Sequence, residues 1–173
     1  MFDGGDVNLY RYAGDDPVNF VDLAGRETLA NQELAQELNE ELEKTEDARD
    51  FDKIRKITKQ LCHRAAQVVK AFNKLESWGF PFQRHHILQN AAMEDLALPG
   101  YSRGIALAIP LMGGSGIPGS PHDLINQLQR KGELGILETA RRGLELAGCA
   151  PEDVDAIMDE VQAQIDANGW TIP

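Results

Sequence analysis

The chain is short of cysteine, of positive charge and of long apolar runs. Two cysteines in 173 residues, Cys62 and Cys149, cannot make a disulfide framework or a cysteine-only zinc site. Cys62 falls within a helical pattern and reads as a small buried hydrophobe. Seventeen Lys and Arg face 28 Asp and Glu, a formal net charge of −11. Backbone phosphates must be met by cations, so this balance excludes a protein coated with nucleic-acid-binding charge. A local basic site is still compatible with it. No apolar run approaches the length of a membrane span. The start, MFDGGDVNLYRY, has no charged region followed by an apolar stretch, so it does not read as a signal peptide. Internal repeats and low-complexity tracts are also missing.

What is present suits a globular core. Hydrophobic residues are 42% and charged residues 26%, over a length fitting one domain, or one domain with a short flanking piece. The charge is uneven. Residues 61–131 hold seven cations against four anions, while residues 132–173 hold two against nine. The four histidines, His63, His85, His86 and His122, all lie in that positive middle segment. An anionic ligand is therefore expected there.

Residues 1–25 read as strand and turn, with Gly4-Gly5, Gly14-Asp15-Asp16-Pro17 and Ala24-Gly25 as punctuation. Thr28 is a candidate N-cap for a helix reaching about residue 48, with Leu34, Leu38 and Leu42 on one stripe. Ile54, Ile57, Leu61, Ala65, Val68, Phe72 and Leu75 step by three or four, which predicts a second helix and an antiparallel helical hairpin over 28–77. FQRHHILQ is short, apolar and β-compatible, and IALAIPLM is a second apolar run. Around them, Pro99-Gly100, Gly104 and GGSGIPGSP mark loops. Ser120-Pro121 supplies an N-cap and an N1 proline for a helix through HDLINQLQRK. A further helix carries Ile136, Leu137, Ala140 and Leu144 and stops at Gly148. Pro151 opens the last helix, with Val154, Ile157, Met158, Val161 and Ile165 inward. The expected fold is α+β, mostly helical.

The segment Asp6-Val-Asn-Leu-Tyr-Arg-Tyr-Ala-Gly-Asp-Asp-Pro-Val-Asn-Phe-Val-Asp-Leu-Ala-Gly25 resembles the end of the core repeat domain of Rhs/YD-repeat proteins. The resemblance covers about twenty residues and rests on the spacing of tyrosine, proline and aspartate. It implies that residues 1–25 are the end of a β-type Rhs core. Residues 26–173 would then be the toxin domain of a larger secreted protein, with Met1 added ahead of the core remnant. Leu23 stands where the family has proline. Arg26 stands at the leucine where family members self-cleave.

Arg84-His85-His86 closes a predicted strand, and His122 opens a helix with Asn126 four residues on. Residues i and i+4 share a helix face, while adjacent strand residues face opposite sides. One histidine of the pair can therefore bind a metal while the other faces a substrate. This layout resembles ββα-metal nucleases of the HNH/endonuclease VII type, including histidine-pair toxins. The resemblance implies a small ββα-metal-like element at 82–131, embedded between the hairpin and C-terminal helices at 132–168. His85 and His122 would be metal ligands, with Asn126 a third, and His86 the general base. Arg84 joins the catalytic group, and Arg84, Arg103 and Arg130 are phosphate contacts. The ion would be Mg²⁺, with Zn²⁺, Mn²⁺ or Ni²⁺ as alternatives. Residues 111–121 lack the asparagine that braces the loop in HNH proteins, and Asn90 stands too near the pair to replace it.

The expected function is a metal-dependent endonuclease toxin acting on DNA in the cytoplasm of a target cell. It would be secreted as an effector, with a type VI system as the leading route. Its partners would be nucleic acid, a cognate immunity protein and the Rhs core, with no membrane. Two alternatives remain open: metal-free RNA cleavage by a histidine pair, and a non-enzymatic interaction module with acidic helices. His63 reads as structural. A Cys62/His63/His85 zinc site is disfavoured because adjacent helix residues face different directions.

Overall fold

A computed structural model describes residues 23–113 and 117–173. Of the Rhs-like segment 1–25, residues 1–22 lie outside the described residues, while Leu23-Ala24-Gly25, read as turn, instead open the first helix. Helix α1 spans Leu23–Glu43, and a 3-10 turn at Glu46–Ala48 leads to α2, Phe51–Ala66. Strand β1 is Lys70–Ala71, β2 is Phe82–His86 and β3 is Leu107–Met112, with α3, Asn90–Asp95, between the last two. Three helices follow: α4 at Pro121–Lys131, α5 at Ile136–Leu146 and α6 at Pro151–Asn168. The strands form one antiparallel sheet in the order β1-β3-β2. The protein is thus α+β and mostly helical. Among the described residues, no helix is long and apolar enough to cross a membrane.

Helices α1 and α2 run antiparallel. Arg64 on α2 donates to Asn31 on α1 at 2.6 Å, while Lys53 meets Glu41 at 3.4 Å near the turn. Between them Ala35, Leu38, Ile57 and Leu61 pack with Phe82 and Met112 of the sheet. A larger cluster joins Ile87, Ile109 and Leu111 to Ile125, Leu144, Val154, Ile157 and Val161. The sheet packs on the hairpin through Phe82 and Met112 and on the C-terminal helices through Ile109 and Leu111, while α2 also meets α6 directly.

Four expectations change. Helix α1 begins at Leu23, five residues ahead of Thr28, and ends at Glu43 rather than near residue 48. The second helix stops at Ala66. Lys70–Ala71 instead pairs with β3, and Phe72 N–H continues the ladder onto the Ala106 carbonyl at 2.9 Å. The apolar stripe at Val68, Phe72 and Leu75 has helical spacing, but Val68 sits in the turn that closes α2, its N–H on the Ala65 carbonyl at 3.1 Å, and the open edge of β3 then satisfies the backbone that follows. The 82–120 stretch also contains α3, where Ala91, Ala92, Met93 and Glu94 favour a helix ahead of Pro99-Gly100.

The fourth change concerns cysteine. Cys62 on α2 is bonded to Cys149 at the α5–α6 junction, with the Cα atoms 5.2 Å apart across 87 residues of chain. Cys62 is buried as expected, but it is a cross-link rather than a free hydrophobe. It is therefore no zinc ligand.

Candidate active site

The start of α4 is built by local capping. The Ser120 hydroxyl accepts from Asp123 N–H at 3.4 Å, and the Asp123 carboxylate accepts from Gly119 N–H at 2.9 Å. This reciprocal cap, with Pro121 in the first turn, holds His122 at the helix N-terminus. One turn on, the Asn126 amide contacts His122 Nδ1 at 2.9 Å. An amide N–H only donates, so His122 Nδ1 accepts and the neutral ring carries its proton on Nε2; Nε2 becomes a metal donor when the Asn126 amide turns its oxygen to Nδ1–H, as an outer-shell partner does.

Facing it, His85 on β2 is 6% exposed and meets His122 edge to face, with ring centroids 5.0 Å apart. Among the described residues nothing hydrogen-bonds His85 Nε2. Burial, then the neighbouring His122 and His86, push the His85 imidazole down to about 3. His122 is also lowered by burial, with Asp123 opposing. Both rings are held neutral, which is the form that ligates metal.

His86 takes the other face of β2. Its ring stacks on Phe72 at 4.2 Å and 7°, and its Nε2 lies 3.1 Å from the Arg103 carbonyl. A carbonyl only accepts, so His86 Nε2 carries the proton and, in the neutral ring, Nδ1 carries the lone pair. Burial lowers the His86 pKa; the Arg103 carbonyl opposes this, while the Arg103 and Arg84 charges add to it and Glu94 opposes them. Arg84 donates to the Phe72 carbonyl at 3.1 Å, with its guanidinium 4.6 Å from the Phe72 ring centre. The Arg103 guanidinium lies 5.4 Å from the same ring.

The predicted residues thus fall into two groups. His85, His122 and Asn126 meet between sheet and α4, while Arg84, His86 and Arg103 gather on the opposite face of the sheet. Arg130 joins neither: it is exposed near the far end of α4, about 12 Å along the axis from His122. Phe72, which organises the second group, has no signal of its own in the sequence because it fits the helical stripe. Asn90 instead accepts from the Tyr101 hydroxyl at 2.9 Å, bracing the β2–β3 connection. His63 Nδ1 lies 2.8 Å from buried Asp153, tying α2 to α6.

Whether the first group suits a divalent ion depends on its donors. Two neutral imidazoles, one with an unpaired buried nitrogen, are suitable donors for a transition metal. Among the described residues no group of three or more His, Cys, Asp or Glu side chains is gathered as a metal cage. The protein would therefore contribute two imidazoles, with the Asn126 amide behind one of them. No family model, no curated protein and no solved structure matches the chain.

Proposed function

We propose that the chain carries a metal-dependent nuclease domain, the toxin tip of an Rhs-type effector. The observation that carries this reading is the meeting of buried, unpaired His85 with His122 at the capped start of the helix that follows the strand pair. His85 and His122 would hold the ion, which when bound supplies a Lewis acid for the scissile phosphodiester. The remaining residues lie on the opposite face of β2, so one phosphodiester meets both the ion and His86 only around the end of the strand, where His85 and His86 are the last two residues. His86, with its proton fixed on Nε2 by the Arg103 carbonyl, offers Nδ1 to take a proton from an attacking water. Arg84 and Arg103 supply cations for the phosphate beside it. DNA is the favoured substrate, acted on in the cytoplasm of a target cell. The proposed partners are a cognate immunity protein and the Rhs core of the parent chain. The Cys62–Cys149 bond supports passage through an oxidising compartment on the way.

The test is incubation of the full chain with plasmid and with total RNA, with Mg²⁺, Mn²⁺, Ni²⁺ or Zn²⁺ and with EDTA. Cleavage is expected to need the ion and to fall by about 10²-fold or more in His86→Ala. Undiminished cleavage by that variant, insensitive to EDTA, overturns the proposal. One observation favours a second reading. His86, Arg84 and Arg103 share a face without His85 or His122, which would also suit metal-free RNA cleavage. RNA loss that persists in EDTA selects it. Silence of every histidine substitution selects an interaction module.

A further inference from the structure

The hairpin covers this face of the sheet at Phe82 and Met112, but its other end, around Lys70, Arg84 and His86, is open and carries more than the residues the sequence singled out. Ala108 on β3 pairs with Lys70 on one side and with His86 on the other. Residues paired across antiparallel strands share a face, so Lys70, Ala108 and His86 form one row. Arg84 lies two residues before His86 and Phe72 two residues after Lys70, and period-two alternation puts both on this face. The small side chain of Ala108 between the flanking strands leaves room for the Phe72 ring to reach His86, on which it stacks. Arg103, exposed in the connection to β3, closes the group over the Phe72 ring. Lys70 and Arg84 are exposed as well. Two guanidiniums and one imidazole thus meet at a single aromatic ring, with exposed Lys70 on the same face, in a chain whose net charge is −11. Glu94 is the carboxylate that acts on His86 here.

From this juxtaposition we infer that the open end of this sheet face is a nucleic-acid-binding surface, on which Lys70, Arg84 and Arg103 grip the phosphodiester backbone and Phe72 holds them in register with His86. This rests on the nuclease reading for the identity of the ligand, and it adds Lys70 as a phosphate contact and Phe72 as a positioning residue. Neighbouring strands are about 4.8 Å apart, so the Lys70 and His86 backbones stand about 10 Å from one another across β3. That span suits contacts to successive phosphates rather than to one. Base edges are not involved, so binding should be sequence-tolerant and salt-dependent.

Fluorescence anisotropy with a labelled oligonucleotide, single- or double-stranded, in EDTA measures binding without metal-dependent cleavage. The full chain is expected to bind, with log Kd rising linearly with log salt. Lys70→Glu and Arg103→Glu should each weaken binding about fivefold or more and reduce the slope by about one. Phe72→Ala should also weaken it, whereas Lys56→Glu, exposed on α2, should have no effect. Circular dichroism establishes that Lys70→Glu, a fully surface change, is folded. Wild-type affinity and slope in both Lys70→Glu and Arg103→Glu overturn the inference, as does the absence of wild-type binding. The nuclease reading is scored separately. Binding that depends on Lys70 without cleavage in any metal defeats that reading alone. Cleavage that needs His86 but not Lys70 or Arg103 leaves it standing and defeats the face.

Discussion

At the residue scale the informative side chain is His85. Its Nε2 is buried and unpaired among the described residues, and an unsatisfied buried polar atom costs about 1–3 kcal/mol. Its protonation is also coupled to folding. The folded imidazole titrates at about 3 against an ordinary value of 6.5, so between those values the unfolded chain binds a proton that the folded chain refuses. Stability is therefore complete above pH 6.5 and is lost as pH falls toward 3, by on the order of 3–5 kcal/mol. Urea melts from pH 7 to pH 4 in EDTA should show that slope, and His85→Leu should flatten it. The same variant separates a ligand from a packing histidine. Saturating Ni²⁺ or Zn²⁺, at about a hundred times Kd, should stabilise the wild type by roughly 2.7 kcal/mol. The gain should vanish in His85→Leu and in His122→Ala, and an equal gain in all three proteins would remove these residues from any metal site. Much of this was legible in advance. Alternation along a strand separates His85 from His86, and the spacing of His122 and Asn126 puts them on one helix face. The unpaired nitrogen was not legible, because it depends on what α4 leaves uncovered.

Elements are positioned by short signals that act within a turn. The Ser120-Pro121 start of α4 and the Pro151 start of α6 stand where the sequence puts them, because capping involves only neighbouring backbone groups. Gly113 shows how closely α4 is held to the sheet. It ends β3 at φ 92°, and an added Cβ would strike the fully buried Ser120 side chain that caps α4. Gly113→Ala should therefore destabilise by about 3 kcal/mol, from strained backbone and from collision. It should also weaken metal stabilisation through displaced His122. A wild-type urea midpoint in this variant would mean that the strand and helix are not coupled there. The region after α2 was misread for the opposite reason. Val68, Phe72 and Leu75 satisfy a helical period, but the free edge of β3 offers hydrogen bonds that the local pattern does not encode.

At the scale of the whole molecule, two features join distant parts of the chain. The Cys62–Cys149 bond closes 87 residues between α2 and the α5–α6 junction. A loop of that size removes about 4–5 kcal/mol of unfolded-state freedom in the chain-entropy view. Reduction, or Cys62→Ala with Cys149→Ala, should lower Tm by roughly 10 °C. An unchanged Tm under a reductant that fully reduces the pair would show that packing alone holds this junction. The second feature is charge. The acid excess sits on the flanking segments, while the open end of the sheet face presents Lys70, Arg84 and Arg103. A net charge of −11 then predicts weak capture of substrate that is sensitive to salt.

By itself the sequence determined the α+β class, the starts of α4 and α6, the apolar runs FQRHHILQ and IALAIPLM within which β2 and β3 form, and a histidine segment of mildly positive charge. Each follows from residues within a few positions of one another, where capping, alternation and proline geometry operate. Tertiary structure alone decided that residues 70–71 leave the helix, that Cys62 and Cys149 meet, and that Phe72 gathers Arg84, His86 and Arg103. It also brought His122 onto His85 and Arg103 onto His86 on the two sides of β2 that alternation had separated, and left Arg130 outside both. Those outcomes depend on backbone edges and buried contacts between segments tens of residues apart, which no local pattern carries.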